Sequence, residues 1–192
     1  MFKSRLGLSL IGIAGMMATV AVAPPAQADT CAASTTCSTT VTFTVAAEGG
    51  LEITVPDTAN LGSGSSGGQI STQLGSVTVA DQRAALSATW VSSVIAASGG
   101  FTTGGGTAAE TVPNTAVLYW SGGATATTGT GTFVPGQVNA AAAQSLDASR
   151  TAFSKTTGSG DNSATWNPTI VINVPDQVVA GVYTGTVNHS VA

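Results

Sequence analysis

The chain has 192 residues, of which only 7% are charged, and five Lys and Arg stand against nine Asp and Glu for a formal net charge of −4. An acidic balance of this kind repels polyanions, because phosphate binding rests on clustered basic side chains; nucleic acid and anionic membrane surfaces are excluded as partners. Low charge with abundant Thr and Val fits an exported β protein better than a disordered chain, which carries many charges and few β-branched residues.

At the N-terminus Lys3 and Arg5 precede an apolar stretch from Leu6 to Val22 that Pro24-Pro25 closes. Ala26-Gln27-Ala28 has the small-x-small spacing of a signal-peptidase site, so residues 1–28 are expected to be an export signal cleaved before Asp29. No later run approaches the roughly 20 apolar residues of a bilayer span, so no stable membrane insertion is expected after cleavage. Removing 28 of the 192 residues leaves 164, one domain over 29–192. In it Arg83, Arg150 and Lys155 face all nine acids, a net charge of −6. Cys31 and Cys37 are expected to form a disulfide in an oxidising exterior. Closing so short a loop is worth about 2–2.5 kcal/mol in the chain-entropy account. A metal site on the same cysteines lacks further ligands, since the one histidine is His189.

Alternation of apolar and polar residues dominates the rest of the chain. Val41, Phe43 and Val45 alternate with Thr40, Thr42 and Thr44, which predicts a half-buried strand. Leu51, Ile53 and Val55 predict a second, ended by Pro56-Asp57. After a Gly/Ser loop, strands are expected over Ile70–Ala80, Ala85–Ala97, Ala116–Trp120 and Ala124–Val134. Ala140–Ala143 favour a short helical turn or a loop within Gln137–Ala148. Strands over Ser149–Thr156, Ala164–Val174 and Val182–Val191 complete the chain. Short strands with Gly/Pro punctuation and no helical period predict an all-β fold, an antiparallel, immunoglobulin-like β-sandwich. The tetrapeptide Ser-Ala-Thr-Trp occurs at Ser87–Trp90 and again at Ser163–Trp166, which suggests paired structural positions.

Gly75-Ser-Val-Thr-Val-Ala-Asp-Gln-Arg83, followed by Trp90 and Phe101, resembles the first motif region of WxL-type cell-surface domains. Trp166-Asn-Pro168, Val174-Pro175 and Ala180-Gly-Val-Tyr-Thr-Gly-Thr-Val187 are similar to the closing strands of the same group. The Trp-x-Leu triplets are degenerate here, Trp90-Val91-Ser92 and Trp166-Asn167-Pro168, and Val187–Val191 holds no Trp. The resemblance implies a β-rich protein exported by a Gram-positive bacterium and held non-covalently at the cell wall. Its partners would be a wall polymer or another surface protein.

Catalytic chemistry is thinly represented. A nucleophile needs a neighbouring base, yet His189 is the single histidine and no Gly-x-Ser-x-Gly elbow occurs. Asp57, Asp161 and Asp176 sit at turns, where Asp bonds its own backbone. Asp81 and Arg83 share a strand face and are expected to pair. Asp161-Asn162-Ser163 lacks the spacing of a calcium loop. No enzyme activity, cofactor or metal is therefore expected. Trp rings stack on sugars or fill cores: Trp90 and Trp166 are expected first as core anchors, and together with Trp120 they form the candidate binding surface. Trp120, beside Ser121-Gly122-Gly123, is the foremost of the three for exposure. The expected function is a secreted, non-enzymatic surface module; the alternative is a subunit of a fimbrial or sheath-like assembly, because strands with few edge charges invite strand addition.

Overall fold

The computed structural model describes residues 31–192, which fall into two units, 31–43 and 44–192. The expected export signal lies outside the described residues. In the first unit Cys31 and Cys37 are joined as a disulfide with their Cα atoms 5.9 Å apart. Inside that loop the Thr35 amide and hydroxyl both donate to the Ala32 carbonyl, at 3.1 and 2.6 Å. The strand expected over Thr40–Val45 does not form. Val41, Phe43 and Val45 are 79%, 84% and 75% exposed. Alternation gives a segment two unlike faces, but a strand also needs a hydrogen-bonding neighbour, and none is present among the described residues.

The second unit carries all fourteen strands found among the described residues: β1 (Leu51–Thr54), β2 (Gln69–Gln73), β3 (Val77–Asp81), β4 (Trp90–Ala96), β5 (Phe101–Thr102), β6 (Thr111–Val112) and β7 (Val117–Trp120). There follow β8 (Ala124–Thr128), β9 (Phe133–Pro135), β10 (Gln144–Ser145), β11 (Arg150–Lys155), β12 (Asn162–Trp166), β13 (Thr169–Asn173) and β14 (Val187–Val191). They form sheets in the orders β1-β3-β12-β8, β10-β7-β13-β2 and β14-β4-β11-β9, with a β5-β6 ribbon, and every pairing is antiparallel. The first two sheets run end to end. β2 leads into β3, β7 into β8 and β12 into β13, and the three interruptions lie side by side. Proline cannot donate to a ladder, so Pro168 breaks the pairing there. Instead the Leu74 amide reaches the Pro168 carbonyl at 2.8 Å and the Gly75 amide reaches Asn167 Oδ1 at 3.2 Å. Gly75 makes the bend with a φ of +109°, a backbone conformation open to glycine.

The β4-containing sheet forms the opposing layer, so the protein is an antiparallel β-sandwich, as the alternation predicts. Val77 and Val79 of β3 and Ala164 and Trp166 of β12 point between the layers. Trp90 and Val94 of β4 and Ala152 and Phe153 of β11 meet them. The Phe153 and Trp166 rings stack across the gap with centroids 4.9 Å apart. Several expected strands prove to be two. Ala124–Val134 splits into β8 and β9, which lie in different layers, because the chain turns at Gly129–Gly131 between them. Ile70–Ala80 and Ala164–Val174 break at the bend that Gly75 and Pro168 share. Ala85–Ala97 is strand only from Trp90, and Val182–Val191 only from Val187. Ala140–Ala142 forms a 3-10 turn whose N-terminus is capped by Asn139 Oδ1, which accepts from the Ala141 amide at 3.0 Å. The twin tetrapeptides are not equivalent: Ser163–Trp166 lies within β12, whereas Ser87–Thr89 is turn and loop leading into β4.

Candidate functional site

The structure separates the three tryptophans. Trp90 and Trp166 are 2% and 0% exposed, so neither ring offers a face to a ligand. Each buried indole N–H is satisfied inside the core. Trp90 Nε1 donates to Asn162 Oδ1 at 2.9 Å, and Trp166 Nε1 to the Tyr119 hydroxyl at 3.0 Å. As candidates for a binding surface they are corrected to core anchors: large apolar rings at inward strand positions are worth most where they exclude water.

Trp120 belongs elsewhere. Along β7 the burial alternates, with Val117 and Tyr119 in the core while Leu118 and Trp120 turn to the outer face and are half-buried. Strand register places Trp120 beside Thr169, and Thr169 beside Gln73. One row further along, Leu118, Val171 and Ser71 lie side by side, and the row beyond pairs Asn173 with Gln69. Gln69 Nε2 donates to Asn173 Oδ1 at 2.8 Å. Adjacent strands are about 4.8 Å apart, so Trp120 and Gln73 flank a shelf about 10 Å wide. Thr169 and Val171 form its covered floor, while Gln69, Ser71, Gln73 and Asn173 are exposed. Trp120 Nε1 is buried without a hydrogen-bond partner among the described residues. The shelf therefore combines an aromatic ring, side-chain amides and hydroxyls, with no charged residue in the three rows.

Asp81, Arg83, Asp161 and Lys155 lie outside the three rows of this shelf and are engaged in structural contacts. Arg83 grips Asp81 through two bonds, Nε to Oδ1 at 2.8 Å and Nη2 to Oδ2 at 2.9 Å, and Nη2 also donates to the Thr89 carbonyl at 2.8 Å. Hydrogen bonds from Arg83, with a further one from Asn162, hold the Asp81 carboxyl below the ordinary carboxylate range. Asn162 Nδ2 reaches Asp81 Oδ2 at 3.2 Å and the Gly160 carbonyl at 3.1 Å. Asp161 Oδ1 accepts from the Ala84 amide at 3.0 Å, a residue with φ of +49°. Together these contacts clamp the 82–89 loop over one end of the sandwich. The Asp161-Asn162-Ser163 oxygens are thereby engaged, Ser163 with Thr128 at 2.7 Å. Among the described residues no three His, Cys, Asp or Glu cluster as a metal site would require. Lys155 is 1% exposed, donates from Nζ to the Ala88 carbonyl at 2.8 Å, and lies 5.9 Å from the centre of the Phe133 ring.

His189 on β14 stands edge-on to Tyr119, ring centres 5.9 Å apart, and its Nε2 is buried without a partner among the described residues. Burial pushes the imidazole down to about 4, and likewise pushes the Tyr119 phenol up. The sequence predicts a part-buried, hydrogen-bonded histidine on a strand face; the strand face is found, but the expected hydrogen bond to Nε2 is not made among the described residues. Sequence reading missed Gln69, Gln73 and Asn173. The signal lay in Gln69-Ile-Ser-Thr-Gln73, where the polar residues at every second position face outward.

No helix among the described residues is long and apolar enough to cross a membrane. Compared with protein-family models, curated proteins and solved structures, the chain matches none of them.

Proposed function

We propose that the protein is an exported, non-enzymatic surface module of the WxL type, retained at the cell wall by a neutral polymer laid on the Trp120 shelf. The supporting observation is the position of Trp120. It is the one tryptophan turned outward, and it is set among amides and hydroxyls rather than charges. Sugar rings stack their C–H faces on indole while Gln and Asn side chains exchange hydrogen bonds with ring hydroxyls. The Cys31–Cys37 disulfide fits an oxidising compartment. The sequence resemblance of Gly75–Arg83 and of the closing strands supports the same reading.

Purified protein is expected to sediment with isolated walls and to be released by denaturant, with little effect of salt, since the shelf carries no charge to screen. Trp120→Ala should weaken retention about tenfold, the equivalent of 1.4 kcal/mol, without lowering thermal stability to match. Protein found wholly in the medium, with no affinity for purified walls, rules the reading out.

A further inference from the structure

Over β2 and β13 the opposing layer thins. Between Val174 and Val187 the chain makes a single strand-like bridge, in which Thr102 and Thr184 exchange N–H···O bonds of 3.0 Å. On the other side the 59–66 loop is tied to this segment by Ser66 Oγ, which donates to the Val178 carbonyl at 3.1 Å. Between them runs a groove of about 860 Å³, lined by the inward side chains of Ile70 and Ile172 together with Phe101, Val112 and Val182. Among the described residues no charged side chain lines it. Val182 is 84% exposed, an apolar side chain facing solvent at the groove.

The chain also carries a segment built to match. Thr40–Val45 alternates Thr with Val41, Phe43 and Val45, has no charge, and forms no strand. In an extended chain those three side chains leave one face at intervals of about 7 Å, with the threonines on the other. Joining a sheet would bury the apolar face of such a segment and satisfy its backbone at once. An uncharged segment entering an uncharged groove desolvates no ion.

We infer that the groove takes the Thr40–Val45 segment of a second copy of this chain, added as a strand. Donor and acceptor are different surfaces, so the contact is heterologous and joins copies head to tail. The groove opens on the inner face of the β2–β13 pair, whereas the Trp120 shelf is on its outer face. The inference is thus independent of wall binding, and a copy in a chain would still present its shelf.

The test is sedimentation velocity on the purified chain over a concentration series. The native protein should gain mass with concentration. Phe43→Asp and Val182→Arg should each weaken assembly at least about tenfold, because a charge would have to be desolvated in the groove. Both positions are exposed, and unchanged thermal melts would show that each variant is folded. Mixing the two should restore a one-to-one dimer, since Phe43→Asp keeps an intact groove and Val182→Arg an intact segment. A native chain that stays monomeric at every concentration overturns the inference. So does assembly that survives both substitutions, a mixture that remains monomeric, or a monomer that Phe43→Asp destabilises, which would mean that the segment fills its own groove. Retention on isolated walls by Phe43→Asp at the native level separates this result from failure of the Trp120 reading.

Discussion

At the β3–β12 end of the sandwich Trp90, Phe153 and Trp166 fill the space between the layers, and each indole N–H has a partner. At the β2–β13 end Ile70, Ile172 and Phe101 line an open groove, and the opposing layer is reduced to the β5–β6 ribbon and its bridge to Thr184. The two ends share the same long strands, bent at Gly75 and Pro168. What differs is side-chain volume and the fate of polar groups. Two tryptophans and a buried Asp81–Asn162 network lock one end. Glycine and serine fill the loop at the other, from Gly62 to Gly68. Stability is expected to be concentrated at the first end and binding at the second.

Trp166→Ala should have the largest effect. It removes a fully buried ring that stacks on Phe153, and should cost about 3–5 kcal/mol in a denaturant titration. The control at the open end, Val182→Ser, should change stability by less than about 0.5 kcal/mol. Equal losses at the two sites would erase the contrast.

An acid titration examines the boundary between the ends, where His189 stands. Its folded-state value of about 4 lies below the ordinary 6.5, so the unfolded chain takes up a proton that the folded chain refuses. Stability is therefore full above about pH 6.5 and falls as pH drops towards 4, by up to about 3 kcal/mol. Asp81 acts lower. Its depressed carboxyl value contributes stability that is lost only as pH falls further, through the folded-state value. His189→Gln should flatten the profile between pH 6.5 and 4, as followed by melts across that range. A slope unchanged by the substitution would assign the loss to other groups.

A smaller loss is expected at the bend between the ends. Gly75→Ala forces a side chain onto a φ of +109° and brings its Cβ within 2.7 Å of Pro56 Cγ. It should cost about 1–2 kcal/mol in the same denaturant titration. A neutral result would show that the bend tolerates an ordinary backbone conformation.

Alternation made the sandwich legible in the sequence. Val77 and Val79, and Leu51 and Ile53, sit on the faces their spacing predicts. It failed where partners, rather than faces, decide. Val41-Thr-Phe-Thr-Val45 has strand periodicity and no ladder, because period records which sides differ and not what lies beside them. The breaks at Gly75 and Pro168 are visible as residues, but only their meeting across the sheet makes one bend of them. The twin Ser-Ala-Thr-Trp segments promised equivalence; they share a buried Ala and a buried Trp but not a strand, since only the second copy lies within one. Of the candidate site, Trp120 was readable from its glycine neighbours. Gln69, Gln73 and Asn173 were not, since the shelf exists only once β2, β13 and β7 are laid side by side.

Lys155 is the only lysine among the described residues, and its ammonium is turned inward to the Ala88 carbonyl. Amine-directed reagents, sugar aldehydes and lysine-seeking proteases thus find no side-chain target on the folded body. Labelling of Lys155 by an amine reagent would report on unfolding, and arrayed copies would have to be coupled through some group other than this side chain.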